Sequence, residues 1–142
     1  MEYKVTEQPT KRFVIDFGLR PGYDKSTQAF TVEDVKQWYM KWQKGRADRG
    51  EYYFTGFVIP SNSVYTYKKD GSNSVGDYEP AARIEGEVSM EFCAPIYEDD
   101  KKVIEIIFEL ADNVGMQAQQ ERVHVTYGGK SYILENSRFA NN

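Results

Sequence analysis

Arg83-Ile84-Glu85-Gly86-Glu87-Val88-Ser89-Met90-Glu91-Phe92-Cys93 is the stretch around which the chain is read. Ile84, Gly86, Val88, Met90 and Phe92 fall on one side of an extended backbone. Arg83, Glu85, Glu87, Ser89, Glu91 and Cys93 fall on the other. This period of two predicts an antiparallel strand with one face buried and one face wet.

Upstream, Phe13, Ile15, Phe17 and Leu19 alternate with Val14, Asp16 and Gly18, which predicts a second half-buried strand. Arg20-Pro21-Gly22-Tyr23-Asp24 is a turn-rich loop. Thr31 then offers an N-cap, Glu33 and Asp34 sit where the helix dipole favours acids, and Val32, Val35, Tyr39 and Trp42 recur at helical spacing until Gly45. Residues 51–59 predict a strand that Pro60 interrupts, with a continuation over 64–67 after a bend. Residues 68–80, with Asp70-Gly71-Ser72-Asn73 and Gly76-Asp77, read as an exposed, mobile loop.

Downstream, Glu98-Asp99-Asp100 opens a second helix with the stripe Val103, Ile107, Leu110 and Val114, for which Gly115 is a stop. Val123, Val125 and Tyr127 alternate with Arg122, His124 and Thr126, and Gly128-Gly129 turns the chain into a partner strand over 131–135. The fold class is therefore α+β: two amphipathic helices on one face of an antiparallel sheet, with extra β-ribbon. One domain spans residues 1–142, with flexible ends at 1–10 and 136–142.

The order strand, helix, strand, strand, helix, strand resembles the ferredoxin-like split βαβ arrangement over residues 12–135. Many functions use that scaffold, so the resemblance implies a fold and not a chemistry. The Phe17-Gly18-Leu19 strand end, the acidic central strand and the terminal strand of 119–127 are similar to small uncharacterised bacterial or phage proteins of this class.

Composition narrows the function classes. Hydrophobic residues make up 40% and charged residues 28%, an ordinary globular balance. Net charge is −4, which argues against nucleic acid held by counterion release. One cysteine and one histidine leave no disulfide framework and no His/Cys metal set. No metal and no cofactor is expected. The polar start of the chain carries no apolar run for a membrane, and the chain is read as cytoplasmic.

Three constellations remain. The first is the polar sheet face, where His124 is the candidate acid/base, Asp16 or Glu87 would orient it, and Arg122 would hold an anion. Cross-strand polar pairs contributing roughly 0.2–1 kcal/mol each would give the same pattern without catalysis. His124-Val125-Thr126 is also similar to the His-x-Thr element of the two-histidine phosphodiesterases, which implies phosphoester chemistry at His124 and Thr126. That pattern needs two histidines, and this chain has one. The second is the loop after the first strand, where Arg20, Tyr23 and Lys25 are candidate ligand-binding residues for a small anion. The third is Phe108 with Ile104, an apolar pair off the helix stripe, which points to self-association or to cover by the 68–80 loop. Gly128-Gly129-Lys130-Ser131 mimics the end of a phosphate-binding loop but lies between strands, so a hairpin explains it.

The sequence thus favours a non-enzymatic binding module, a homo-oligomer recognising a small anionic ligand or a protein partner. A phage accessory protein that sequesters a ligand or blocks a host factor fits such a motif-poor chain. An enzyme working through His124 and a structural subunit of an assembly are the alternatives.

Overall fold

Thr31 caps a helix as expected: its hydroxyl accepts from the Asp34 amide at 3.2 Å while the Asp34 carboxylate accepts from the Thr31 amide at 2.8 Å. The computed structural model describes residues 1–71 and 73–140, with Tyr23 by its backbone alone. Strand β1 (Arg12–Gly18) leads through a 3-10 turn at Pro21–Tyr23 to helix α1 (Val32–Asp48). Strands β2 (Thr55–Lys69) and β3 (Asn73–Glu87) form a hairpin. A short helix α2 (Ala94–Tyr97) precedes α3 (Asp100–Ala118), and β4 (Arg122–Tyr127) and β5 (Lys130–Glu135) close the chain before a 3-10 turn at Ser137–Phe139.

The five strands lie in the order β2-β3-β1-β4-β5, every neighbouring pair antiparallel. Without β5 this is the ferredoxin-like order. Phe13, Ile15 and Phe17 of β1, Ile84 of β3 and Val125 of β4 point to one side and are buried. Val35, Tyr39 and Trp42 of α1 and Val103, Ile107, Leu110 and Val114 of α3 are buried with them in the same core. Each fully buried side chain of this size contributes about 1.5–3 kcal/mol, so this one layer dominates the stability. The other face of the sheet carries no helix, and the site is built there.

Four elements differ from the sequence expectation. Pro60 does not interrupt β2, because β2 is an edge strand and a missing amide there costs no ladder bond. Residues 68–80 are not a mobile loop: β2 and β3 pair without a break from Thr55–Glu87 to Lys69–Asn73, and only the tip, where Asp70 and Gly71 take positive φ, is a turn. The strand expected over 83–93 ends at Glu87, opposite Arg12, where β1 begins and the pairing stops. The chain then folds on itself, with the Cys93 amide on the Ser89 carbonyl at 2.8 Å, leaving Met90 and Phe92 exposed rather than in the core.

Gly115 does not end α3. It lies against β4, where a Cβ would fall 2.6 Å from Val123 Cγ2, so glycine is there for close helix–strand packing. The helix ends three residues later, with Gln119 in the left-handed region (φ 55, ψ 51) and the Gln120 amide bonded to the Gly115 carbonyl at 3.0 Å. Phe108 is half-buried edge-on against Tyr132 of β5, ring centroids 5.2 Å apart, so β5 covers it and the ribbon does not. Ile104 is half-buried against the same core.

Candidate functional site

Register fixes the open face of the sheet. Asp16 lies directly between Arg83 on β3 and His124 on β4. Its two oxygens accept from Arg83, Oδ1 from Nε at 2.7 Å and Oδ2 from Nη2 at 3.1 Å. Both side chains are more than a third exposed. The partner expected for His124 is therefore taken by a guanidinium. Glu87 is placed opposite Arg12 and Thr55, at the far end of the face from His124, so it cannot orient that imidazole.

A cleft of about 580 Å³ opens beside this pair, lined by Asp16, Gly18, Ser61, Ser63, Tyr65, Glu79, Arg83, Glu121, Arg122 and His124 among others. Arg122 and His124 are thus brought into one cleft with Asp16. Arg122 also approaches Glu135 on β5 at 3.5 Å. The end of β1 forms the floor. Gly18 has no side chain, and a Cβ there would fall 2.6 Å from Gln120 Oε1 and 3.2 Å from Glu79 Oε1. Two acceptor oxygens therefore converge over one glycine.

Each is held there by the fold. The Gln120 side chain follows the left-handed turn at the end of α3, and its amide nitrogen donates to the Arg20 carbonyl at 2.6 Å and the Ala118 carbonyl at 3.0 Å. Its Oε1 is buried and accepts nothing among the described residues. Glu79 stands on β3 opposite Ser63 and is 8% exposed, with no donor on its carboxyl among the described residues. Burial is the main cause that pushes its pKa up; Asp77 adds to this, while Arg20 and Lys25 oppose it.

The loop expected to grip an anion is spent on these acids. Lys25 donates to Asp77 across the gap between loop and ribbon, which holds the Asp77 carboxyl below its ordinary range. The Arg20 Nε is buried without a partner among the described residues, and the guanidinium acts on Glu79 as a nearby charge. The Tyr23 side chain lies outside the described residues. Two neighbouring acids are thereby driven apart, Asp77 toward the charged form and Glu79 toward the neutral one, an arrangement typical of working sites. Tyr65, stacked on Tyr67 with centroids 6.2 Å apart, forms an aromatic wall at the ribbon end.

Sequence reasoning found Asp16, Arg122 and His124, and missed Glu79, Asp77 and Gln120. The signal was present: extending the alternation of Arg83 and Glu85 backward through Ala81 reaches Glu79 and Asp77 on the same face. Among the described residues no group of three His, Cys, Asp or Glu is placed to hold a metal ion, and no helix is long and apolar enough to cross a membrane.

No family model and no curated protein matches the chain. Two solved structures share its fold nearly end to end. One is a phage SAM lyase in complex with S-methyl-5′-thioadenosine, 17% identical, with a TM-score of 0.59 over 94% of this chain and 98% of that one. The other is a phage SAM lyase in the apo state, 19% identical, with a TM-score of 0.61 over 94% of this chain and 97% of that one. At these identities the likeness is one of fold. The expectation of a non-enzymatic binding module is corrected by these two neighbours, both of which are enzymes.

Proposed function

We propose that this chain is a phage-type enzyme that cleaves S-adenosylmethionine and releases S-methyl-5′-thioadenosine, working in the cleft over Gly18. One observation carries the reading: Glu79, whose carboxyl meets no donor among the described residues, lines an open cleft at Gly18, and the buried Gln120 Oε1 lies against the same glycine. Buried acceptors left unsatisfied are costly, and a ligand rich in donors or positive charge relieves the cost. SAM has a sulfonium, an ammonium and a ribose diol. The sequence expectation of an anionic ligand suits the cleft floor less well, since Lys25 is already answered by Asp77.

In the cleavage, the bond between sulfur and the amino-acid chain breaks and its electron pair goes to sulfur, leaving a neutral thioether. The vacated carbon takes its new electron pair from the substrate itself, either a carboxylate oxygen, which closes a lactone, or the adjacent C–H bond, whose proton passes to solvent, so no water is consumed. Glu79 has a direct part in choosing what binds. A carboxylate about 4 Å from a unit positive charge gains about 4 kcal/mol at an effective dielectric of 20. That attraction favours the charged substrate and vanishes with the neutral product, which is then free to leave. Tyr65 and Tyr67 offer a flat aromatic surface for the adenine.

The test is incubation of the purified chain with SAM and chromatographic detection of S-methyl-5′-thioadenosine. Release of the thioether is expected, with kcat/KM rising as pH rises through the elevated Glu79 pKa, because the ionised form attracts the sulfonium. Glu79→Gln should flatten that rise. Intact SAM after prolonged incubation with folded protein refutes the reading.

A further inference from the structure

Strand register also sets the order of groups across the Glu79 cleft. Gly18 pairs with Ala81 of β3, and Ala81 pairs with Ser61 of β2. On the other side Asp16 pairs with His124, and the same register carried two residues on sets Arg122 level with Gly18. Tyr65 of β2 lies opposite Asp77, and Glu79 of β3 lies opposite Ser63. With strands about 4.8 Å apart and residues about 3.4 Å apart along each, Tyr65, Glu79 and Arg122 follow one another across the sheet in steps of about 8 Å and about 12 Å between Cα atoms. The cleft therefore runs from an aromatic wall, over a buried carboxylate, to a guanidinium.

The guanidinium end is built differently from the floor. Of the other cations around the cleft, Arg83 is held by Asp16, Lys25 is held by Asp77, and Arg20 has its Nε buried. Arg122 lines the cleft with its side chain more than half exposed, and its approach to Glu135 at 3.5 Å is a surface pair that water and salt weaken. Glu121, the preceding residue, lines the same cleft and is half-buried. The start of β4 thus offers an acid and a guanidinium side by side, the complement of a zwitterionic amino acid. The guanidinium fork is also the donor geometry that suits a carboxylate.

We propose that the start of β4 reads the amino-acid end of the substrate, with Arg122 taking the carboxylate and Glu121 the ammonium, while Glu79 meets the sulfonium and Tyr65 the adenine. The inference rests on the SAM reading and deepens it by giving the substrate a direction in the cleft. In SAM the sulfonium lies between the adenosyl group and an amino acid whose carboxylate hangs three carbons away, the same order as wall, floor acid and guanidinium. Turned around, the substrate would bring its carboxylate toward Asp77, opposite Tyr65, and set like charges together.

Calorimetry with three unreactive adenosyl thioethers tests this: S-adenosylhomocysteine, its decarboxylated analogue and S-methyl-5′-thioadenosine. All lack the sulfonium, so no cleavage intrudes. The parent should bind S-adenosylhomocysteine more tightly than the decarboxylated analogue, although a lining with three acids and two arginines would otherwise favour the extra positive charge. Arg122→Gln should weaken S-adenosylhomocysteine by about tenfold to a hundredfold, the loss of a hydrogen bond between charged groups, and leave S-methyl-5′-thioadenosine unchanged. That unchanged affinity also reports a folded variant. If Arg122→Gln does not fold, Arg122→Lys keeps the charge without the fork and should give a smaller loss of the same selectivity. Glu121→Gln should weaken both amine-bearing probes and spare the third. The assignment is overturned, with the SAM reading intact, by a parent that prefers the decarboxylated analogue, by equal weakening of all three probes in Arg122→Gln, by a carboxylate preference lost in His124→Gln instead, or by a Glu121→Gln chain that binds the amines as the parent does. A parent that binds none of the three and leaves SAM intact removes the SAM reading itself, and this assignment with it.

Discussion

Asp16 and Glu79 are both carboxylates on the open face of one sheet, on neighbouring strands and in the same cleft, yet they live under different physics. Asp16 is more than a third exposed and gives both oxygens to Arg83 in a planar, two-bond pair. Glu79 is nearly buried, accepts nothing among the described residues, and faces a second orphan acceptor on Gln120. The first acid is finished by the fold and the second is left for a ligand. Acidity and position on the face are shared, so neither locates the site; what separates the two is whether the hydrogen-bonding capacity is already used.

Removing each acid gives the widest contrast. Glu79→Ala should lower kcat/KM for release of S-methyl-5′-thioadenosine by about 100-fold, equivalent to about 2.7 kcal/mol of lost attraction. That is most of the roughly 4 kcal/mol the pair gains before desolvation is charged against it. Asp16→Ala, which deletes an acid already neutralised by Arg83, should cost less than about tenfold. Equal losses at the two positions would erase the distinction between them.

Gly18 keeps the two orphan oxygens together, so filling it should break the site from beneath. Its Cβ would meet Gln120 Oε1 at 2.6 Å, and Gln120 is buried with its amide nitrogen tied to two carbonyls. The neighbour cannot swing aside freely. Gly18→Ala is expected to destabilise by about 1–3 kcal/mol, the usual range for an overpacked site, as read by denaturant midpoint. An unchanged midpoint would mean the floor is looser than drawn.

How much of this was legible follows from where each residue points. Phe13, Ile15 and Phe17, and the stripe of α3, have one dry side and one wet side, so their periodicity gave the sheet, both long helices and the placing of Asp16 beside His124. The outer half of the β2–β3 hairpin extends past the end of β1, which reaches no further along β3 than Ala81. Both faces of that ribbon are largely wet, so no apolar alternation marks it, and Asp70-Gly71 among polar residues reads as loop. Glu79 was lost with the ribbon. Gln120 was lost for another reason: a left-handed Gln119 ends α3 where a glycine four residues earlier offered a conventional stop. Packing against Val123 had claimed that glycine first.

The Glu79 carboxyl also makes stability depend on pH in a direction opposite to Asp77 beside it. Its folded pKa lies above the ordinary value of 4.5 because burial disfavours the charge. A raised folded value means the stability it allows is complete below the unfolded value and is lost as pH rises through the folded one. Glu79→Gln removes the titration, so its advantage over the parent should grow as pH rises from the ordinary carboxylate value through the raised folded one. Asp77, held low by Lys25, gives the reverse: its contribution is present above its unfolded value and fades as acid is added. Thermal melts of Glu79→Gln and Asp77→Asn across pH should therefore diverge from the parent in opposite senses. Parallel curves would show that Glu79 is ionised and solvated in the folded protein.

The smallest effect belongs to the pair with the best hydrogen-bond geometry. Arg83 and Asp16 make two short bonds in ideal fork geometry, but both side chains are wet, and water returns most of what the bonds supply. A double-mutant cycle with Asp16→Ala and Arg83→Ala should give a coupling of only about 0.2–1 kcal/mol. Raising salt to about 1 M shortens the screening length to about 3 Å and should remove most of it. A coupling well above that range, unmoved by salt, would place the pair in a drier setting than its exposure allows. Asp16 would then belong with Glu79 rather than opposite it, and His124, its neighbour on β4, would return as a candidate for proton transfer.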